Sequence, residues 1–518
     1  MNTDSQPPKA TRRDWIGLGV IALACVLYVM DLEVLHLAVP QISEDLRPSS
    51  AQLLWIIDIY GFMVAGWLIT MGTLGDRIGR RRLLMIGAAA FGVASVLAAF
   101  STSAEMLIAT RALLGVAGAT LAPSTLSLIR NMFLDPEQRR RAIAVWLTAF
   151  SVGGAIGPLA GGVMLEFFWW GAVFLLAVPV MALLLLLGPR LLPEYRDPNP
   201  GKLDLISAAL SLLAVLSAIF GLKELAQNGI GPLPILSILA GLALGVVFVR
   251  RQRRLADPFV DLGLFRAPGF SASLAAYGLG VVIVFGGFLF LPQYLQLVLG
   301  LSPLEAGLWT VPWAIMFVVG SQLTPRLASR IRPSSLMAGG MILAAFGFLA
   351  FTGVDEKSGF PIFLAGSIAF SLGMAPVFTL AIDLIVGVAP PERAGAASAI
   401  AETSAELGGA LGIAFFGSIG IAIYRSGIAD NLPAGVSPAA ADAARDTLGG
   451  AVEIARQLPE QLGSSLVDAA REAYIQGVHV AAAICVAGAI GLAVFVAVTL
   501  RHVTGGVESE DLEESAVS

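Results

Sequence analysis

Charge is what this chain has least of. Only 13% of its 518 residues are Asp, Glu, Lys or Arg, whereas a soluble domain of average composition carries about 25%. With 57% hydrophobic residues and a mean hydropathy of +0.82, the composition excludes a soluble enzyme built around a large core. Lysine is scarcer still: Lys9, Lys202, Lys223 and Lys357 are the whole set. None follows a Gly-rich G-K-[ST] context, which argues against a P-loop and ATP-driven transport by this chain alone. The two cysteines, Cys25 and Cys485, lie in apolar runs and read as small buried hydrophobes rather than a disulfide or metal site. No cluster with metal-ligand spacing and no nucleophile–base pair stands out, so no metal, no cofactor, no nucleic-acid partner and no enzyme activity are expected. The net charge of -5 says little about partners, because the charges are sorted by loop.

What the chain has instead is long apolar runs. A membrane-crossing helix needs roughly 20 mainly apolar residues. That criterion places fourteen spans near 15–39, 51–73, 82–100, 104–129, 142–165, 169–189, 203–222, 233–249, 269–293, 303–324, 334–353, 359–386, 394–422 and 475–499. The first run is too long for a signal-peptide core and shows no cleavage site, so it reads as an uncleaved span. Numbered this way, the loops on the N-terminal side hold 24 of the 32 Lys and Arg residues, the opposite loops hold seven, and Arg111 lies inside a span. Basic residues favour the cytoplasm, so the expectation is a multi-pass protein of the cell membrane with both termini cytoplasmic.

A weak repeat relates spans eight apart. Gly153-Gly154-x-x-Gly157 in span 5 matches Gly408-Gly409-x-x-Gly412 in span 13, and the Arg-rich loop after span 2 is echoed by Arg326 to Arg332 after span 10. The implied organisation is an N-terminal six-helix bundle (1–190), two inserted helices (203–250) and a C-terminal six-helix bundle (268–500). Halves related by repeats are a mark of secondary transporters. Residues 424–474 form the one sizeable polar segment, expected as an outer helical hairpin starting at Ser437-Pro438, broken near Leu458-Pro459 and resuming from Ser464. The acidic tail 501–518 is expected to be disordered.

The informative charges are those inside the spans. An acid near a bilayer centre costs about 2.5–3.5 kcal/mol on insertion scales, so it usually faces protein or water. At 1.5 Å per residue, Asp31, Asp58 and Arg111 fall at a common depth, roughly 6–8 Å to the outer side of the midplane. Two acids near one guanidinium can compensate each other, either as working proton and cation sites or as a static ion pair between helices. Glu33, two positions from Asp31, turns to nearly the opposite face, so one acid of the two can face a cavity and the other a neighbouring helix. His36 is placed near the outer interface. In span 13, Glu402 and Glu406 are one turn apart on one face, suited to proton exchange or cation attraction, or else to hydrogen bonds across helices. Asp383 and Glu166 sit at span ends and read as solvated or interfacial.

Trp55, Tyr60, Tyr277, Trp309 and Trp313 offer aromatic faces for a cationic apolar ligand, although interface belts use the same residues. The set Gly153-Gly154-Ala155-Ile156-Gly157-Pro158-Leu159-Ala160-Gly161-Gly162 spaces glycines for close helix contact, and Pro158 removes an intrahelical donor, so span 5 is expected to bend.

These residues resemble the 14-helix drug:proton antiporters of the major facilitator superfamily, the quaternary-ammonium and dye exporters above all, across essentially the whole chain. Gly72-x-Leu74-Gly75-Asp76-Arg77-x-Gly79-Arg80-Arg81 is similar to the superfamily's loop 2–3 motif of conformational switching. Arg111-x-x-x-Gly115-x-x-Gly118 looks like the proton-coupling motif of span 4. Gly153, Gly157, Pro158, Gly161 and Gly162 look like the antiporter motif of exporters. Met30 to Pro40 resembles the family's L-D-x-T-x-V-N-x-A-x-P pattern, with Glu33 in place of the Thr and His36 in place of the Asn. The segments around Asp58 and Glu402 also resemble the exporters' acidic stretches. The acid that some relatives carry in span 10, associated with divalent cations, is missing from Val311 to Phe317. The resemblance implies an all-α major facilitator fold and alternating-access export of lipophilic cations driven by the proton gradient, with the bilayer, protons and small cations as partners and a monomer expected. Asp31, Asp58, Arg111, Glu402, Glu406 and Glu33 are then the candidates for coupling and cation recognition. Export of an endogenous antibiotic or lipid, or a receptor or scaffold role without transport, are the rival expectations.

Overall fold

The computed structural model describes residues 9–196, 203–255, 258, 260, 262–356, 359–388 and 394–501, and every regular element among them is helical. Lys202, Lys357, Arg393 and the tail beyond Arg501 lie outside the described residues. Among the described residues, thirteen helices are long and apolar enough to cross a membrane, and a bent pair, counted as one span, makes fourteen. Spans 1 to 4 are Arg12–Leu46, Ser50–Ile78, Arg80–Ala99 and Ala104–Met132; span 5 is Glu137–Gly154 with Ile156–Phe167. Spans 6 to 9 are Ala172–Leu191, Leu205–Ala226, Pro232–Gln252 and Pro268–Val298. Spans 10 to 14 are Pro303–Ala328, Pro333–Phe351, Gly359–Gly387, Ile400–Asn431 and Glu460–Thr499.

Local chemistry explains where these helices begin. Ser49 caps span 2 by accepting from the Gln52 amide and Ser103 caps span 4 through Met106. Asp135 accepts from Gln138 ahead of span 5, and Pro232, Pro268 and Pro333 open their helices where a missing N–H costs nothing. The expected bend in span 5 is present: its two pieces meet at 40° around Ala155. Pro158 cannot donate to the carbonyl of Gly154, which is where the helix gives.

Two boundaries differ from those expected. Span 1 runs through Pro40 to Leu46 and stops at Arg47, whose φ is 46°; one lost hydrogen bond at a proline with helical φ does not end a helix that is packed on both sides. Span 14 starts at Glu460, not near 475, because its first turns are amphipathic and apolar counting does not register them. The preceding segment has two short helices before the break rather than one, Pro438–Asp446 and Leu448–Ala455, capped by Ser437 and Thr447. The Tyr424 hydroxyl donates to the Ala444 carbonyl at 2.8 Å and Arg425 pairs with Asp446 at 2.9 Å, so this hairpin is tied to the end of span 13.

The chain divides into two compact units. One comprises Met1–Leu216, Gly241–Phe248 and Ser302–Leu308; the other comprises Ser217–Ala240, Val249–Leu301 and Trp309–Ser518. In the first, span 5 lies along span 1 at backbone distance. A Cβ on Gly153 would stand 2.4 Å from the Val26 carbonyl oxygen, one on Gly157 3.0 Å from the Glu33 Cβ, and one on Gly161 3.1 Å from Val34. Gly162 instead meets the Pro303 carbonyl oxygen, 2.7 Å from its Cβ position. In the second unit, span 13 meets span 9 the same way: Gly412 against the Val282 carbonyl oxygen at 2.5 Å and Gly408 against that of Gly278 at 2.9 Å. The middle glycines, Gly154 and Gly409, meet only side chains at 3.8 and 3.5 Å. The repeat seen in the sequence is therefore a repeated helix contact, in which the first and third glycines carry the close approach.

Candidate functional site: an acidic cluster in each unit

In the first unit the cluster is built on Arg111. The spacing Arg111, Gly115, Gly118 puts all three on one face of span 4, and that face lies on span 2. A Cβ on Gly115 would be 2.5 Å from the Tyr60 carbonyl oxygen and one on Gly118 2.9 Å from the Tyr60 hydroxyl. The glycines thus let span 4 approach closely enough for Arg111 to reach past span 2. Its Nη1 donates to Asp31 Oδ2 at 2.5 Å and its Nε to the Ile56 carbonyl at 3.3 Å. The guanidinium lies over the Tyr60 ring, 4.7 Å from the centroid, with Phe174 at 5.9 Å. Arg111 is fully buried and the Asp31 side chain is 7% exposed. Removing either partner would strand the other charge where solvation cannot replace it. Arg111 Nη2 is buried with no hydrogen-bond partner among the described residues, which leaves one donor for an arriving group.

Asp58 is buried at 1% exposure on span 2, two residues past the carbonyl that Arg111 uses. His36, expected at the interface, is instead buried, and the charge of Arg111 acts on it. The helix continues ten residues beyond it to Leu46, which moves His36 away from the span end. Glu33 and Asp31 do diverge: Asp31 turns to Arg111 on span 4 and Glu33 to Gly157 on span 5.

In the second unit, Glu402 and Glu406 both act electrostatically on Tyr277 of span 9, and Ser404 between them touches Gly278. The Tyr277 ring packs edge-on to Phe378 at 5.5 Å, and Phe317 meets Phe378 in turn at 5.8 Å. Glu402 is partly exposed and forms no ion pair among the described residues. An acidic pair beside a phenol and a phenylalanine cluster can hold protons or a cation that carries aromatic surface.

The other aromatic candidates separate. Tyr60 is committed to Arg111, Trp55 is paired with Phe62, and Trp309 packs on Phe360 with 36% of its surface exposed. The Trp313 ring packs tilted against Phe288, centroids 5.2 Å apart, and its indole N–H is buried without a partner among the described residues.

The loop between spans 2 and 3 is clasped by Glu194 and Tyr195, which follow span 6. Arg80 pairs with Asp76 at 2.5 Å and donates to the Pro123 carbonyl, while its amide donates to the Tyr195 carbonyl. Glu194 accepts from the Arg81 amide at 3.1 Å and faces its guanidinium at 3.6 Å. Nothing in the sequence distinguishes Glu194 from Asp197 and Asp204 in the same loop. Gly79 joins spans 2 and 3 at φ 110°, a region that favours glycine, and a Cβ there would meet Glu194 Oε1 at 2.4 Å. Gly79→Ala is expected to cost about 1–3 kcal/mol through strain and displacement of the clasp, read as a lower unfolding temperature of the purified protein. Gly72 has only Pro123 near it, at 3.8 Å, and is expected to accept alanine.

Comparison with known proteins agrees with this architecture. The family model of the Major Facilitator Superfamily matches residues 21–413. The multidrug efflux pump LfrA of Mycolicibacterium smegmatis is 44% identical over 498 residues, covering 96% of this chain and 98% of that protein. The methyl viologen resistance protein SmvA of Salmonella typhimurium is 37% identical, over 89% of this chain and 93% of its own length. The tetracenomycin C resistance and export protein of Streptomyces glaucescens is 32% identical over 93% and 90%. Among solved structures, a bacterial homologue of the human lysosomal transporter Spinster, inward-facing and unoccupied, superposes with a TM-score of 0.65 at 18% identity, covering 94% of this chain and 98% of that one.

Proposed function

The chain belongs to the major facilitator superfamily, whose members are transporters and not enzymes, and within it we propose that this protein exports lipophilic cations in exchange for protons. Its relatives are multidrug and antibiotic efflux proteins. The observation that carries the reading is the buried Asp31–Arg111 pair at 2.5 Å. An ion pair held out of water is a poor static fastener, because desolvation consumes most of its Coulombic gain. It is a good switch: a proton on Asp31 cancels the attraction and frees both groups, and its loss restores the pair. Glu402, with no cationic partner among the described residues, is the corresponding group in the second unit. In this mechanism the cation binds to deprotonated carboxylates at the cytoplasmic face. Protons arriving from outside occupy Asp31, Asp58 or Glu402 and expel it, and their release inside resets the site. The protein works by alternating access in the cytoplasmic membrane, with both termini inside and the 432–459 hairpin outside. The similarity to a methyl viologen resistance protein favours cations that are flat and aromatic.

Cells carrying the protein should lose efflux of a fluorescent cation when a protonophore collapses the gradient. Asp31→Asn and Glu402→Gln should each reduce gradient-driven efflux to the leak rate. Undiminished, gradient-independent efflux by both variants would overturn the proposal. The 32% identity to a tetracenomycin C export protein favours a second reading, export of an endogenous antibiotic. Transport of neutral or anionic aromatic compounds as fast as cations would support it.

A further inference from the structure

We infer that the end of span 8 binds an anionic phospholipid, with Arg250, Arg253 and Arg254 holding the headgroup phosphate and the apolar side of the helix lying along the acyl chains. Span 8, Pro232–Gln252, is the span least covered by the rest of the chain. Only 11% of its apolar window is buried, the smallest share among the thirteen unbroken spans. One side of it is packed. Pro234 and Ile238 press on span 7, where a Cβ on Gly221 would stand 2.6 Å from the Pro234 carbonyl oxygen and 2.7 Å from Ile238. Gly241 continues that side and is buried. The other side carries Leu236, Leu239, Leu242, Val246 and Val247, each at least half exposed. On a helix that crosses a membrane, an uncovered apolar side meets lipid.

The charge at the end of this side says which lipid. Counting turns, Val246 leads to Arg250 and Arg253, and Val247 to Arg254, so the three arginines extend the apolar side and not the packed one. All three are exposed, and their guanidinium groups have no hydrogen bond or ion pair among the described residues. Arg251 falls off this side and is engaged elsewhere. Other basic residues at span ends are already answered: Arg80 by Asp76, Arg81 by Glu194 and Arg141 by Glu137. The linker to span 9 turns back on the packed side. There the Val260 amide donates to Gln252 Oε1 at 3.4 Å, and Gln252, buried, shares the face of Ile238. Residues 250–266 hold five arginines against Asp257 and Asp261, a net charge of +3. Basic clusters just beyond a membrane helix attract anionic lipid, and a guanidinium holds a phosphate through two parallel N–H donors. A zwitterionic lipid offers the same phosphate but adds an ammonium that the cluster repels.

The test titrates the purified full-length protein in detergent with phosphatidylglycerol, phosphatidylcholine or inorganic phosphate. Bound lipid is followed by native mass spectrometry, and protection by the unfolding temperature. Wild type should bind phosphatidylglycerol at least about tenfold more tightly than phosphatidylcholine, because each arginine at an anionic surface contributes about fivefold. The variant Arg250→Gln/Arg253→Gln/Arg254→Gln should lose that preference. Removing the same charge from scattered exposed arginines, as in Arg82→Gln/Arg130→Gln/Arg330→Gln, should keep it within about twofold. Equal affinity of wild type for the two lipids would overturn the inference whether or not the variants fold; arginines that only offset the dipole at the helix end would give that result. Equal losses in the two triple variants would overturn it as well, since attraction would then follow total charge and not this site. Protection by inorganic phosphate as large as by phosphatidylglycerol would also overturn it, since the apolar side of span 8 would then contribute nothing.

Discussion

Arg111→Leu should reduce efflux at least about 100-fold and lower stability by about 3–5 kcal/mol, the range found when one partner of a buried ion pair is removed. Arg111 is fully buried, so no water takes its place beside Asp31, and the Ile56 carbonyl loses its side-chain donor at the same time. Arg111→Lys keeps the charge but cannot reach Asp31 and Ile56 together or lie flat over Tyr60. It should therefore fold and still transport poorly. Adding Asp31→Asn to Arg111→Leu removes the stranded charge, so the double variant should recover most of the stability and none of the transport. Thermal unfolding in detergent and efflux, measured on the same preparations, separate these outcomes. A single Arg111→Leu variant as stable as wild type would mean that the pair is not a buried interaction.

Gly153→Ala and Gly412→Ala should both be destabilising by about 1–3 kcal/mol and should sharply reduce transport, because the added methyl meets backbone in each case and overpacked sites relax poorly. The Cβ positions are 2.4 Å from the Val26 carbonyl oxygen and 2.5 Å from that of Val282, atoms that no rotamer change can move away. Gly154→Ala and Gly409→Ala are the controls, since their added atoms would meet side chains at ordinary contact distance, 3.8 and 3.5 Å. They should be neutral or stabilising by up to about 1 kcal/mol through better helix propensity. Protein yield, unfolding temperature and efflux should divide the four variants two against two, with the same division in both units.

Much of the fold could be read from the sequence because hydrocarbon imposes a strong length and composition rule on helices. The fourteen spans, the bend at Pro158, the Ser437 cap and the repeat between spans eight apart all follow from sequence patterns. What could not be read is what depends on packing across the chain. Hydropathy stops at Pro40 and at residue 475, but the helices continue, because helix ends outside the apolar core are set by caps and tertiary contacts. Depth counting put Asp31 and Arg111 at one level, and they are paired. It could not identify the Ile56 carbonyl or Phe174 as further partners of the guanidinium, since a backbone oxygen has no sequence signature. His36 was misplaced for the same reason as the end of span 1. Glu194 and Tyr195 were missed because their partners lie more than a hundred residues earlier, in a loop already explained by its own glycines and arginines.

Proton-for-cation exchange is tested most directly by reconstituting the full-length protein in sealed vesicles, loading tetraphenylphosphonium and imposing a pH gradient with the membrane potential clamped at zero. Efflux should follow the gradient, vanish when it is collapsed and be accompanied by stoichiometric proton entry. Equal efflux with and without the gradient, and no proton movement, would contradict the mechanism.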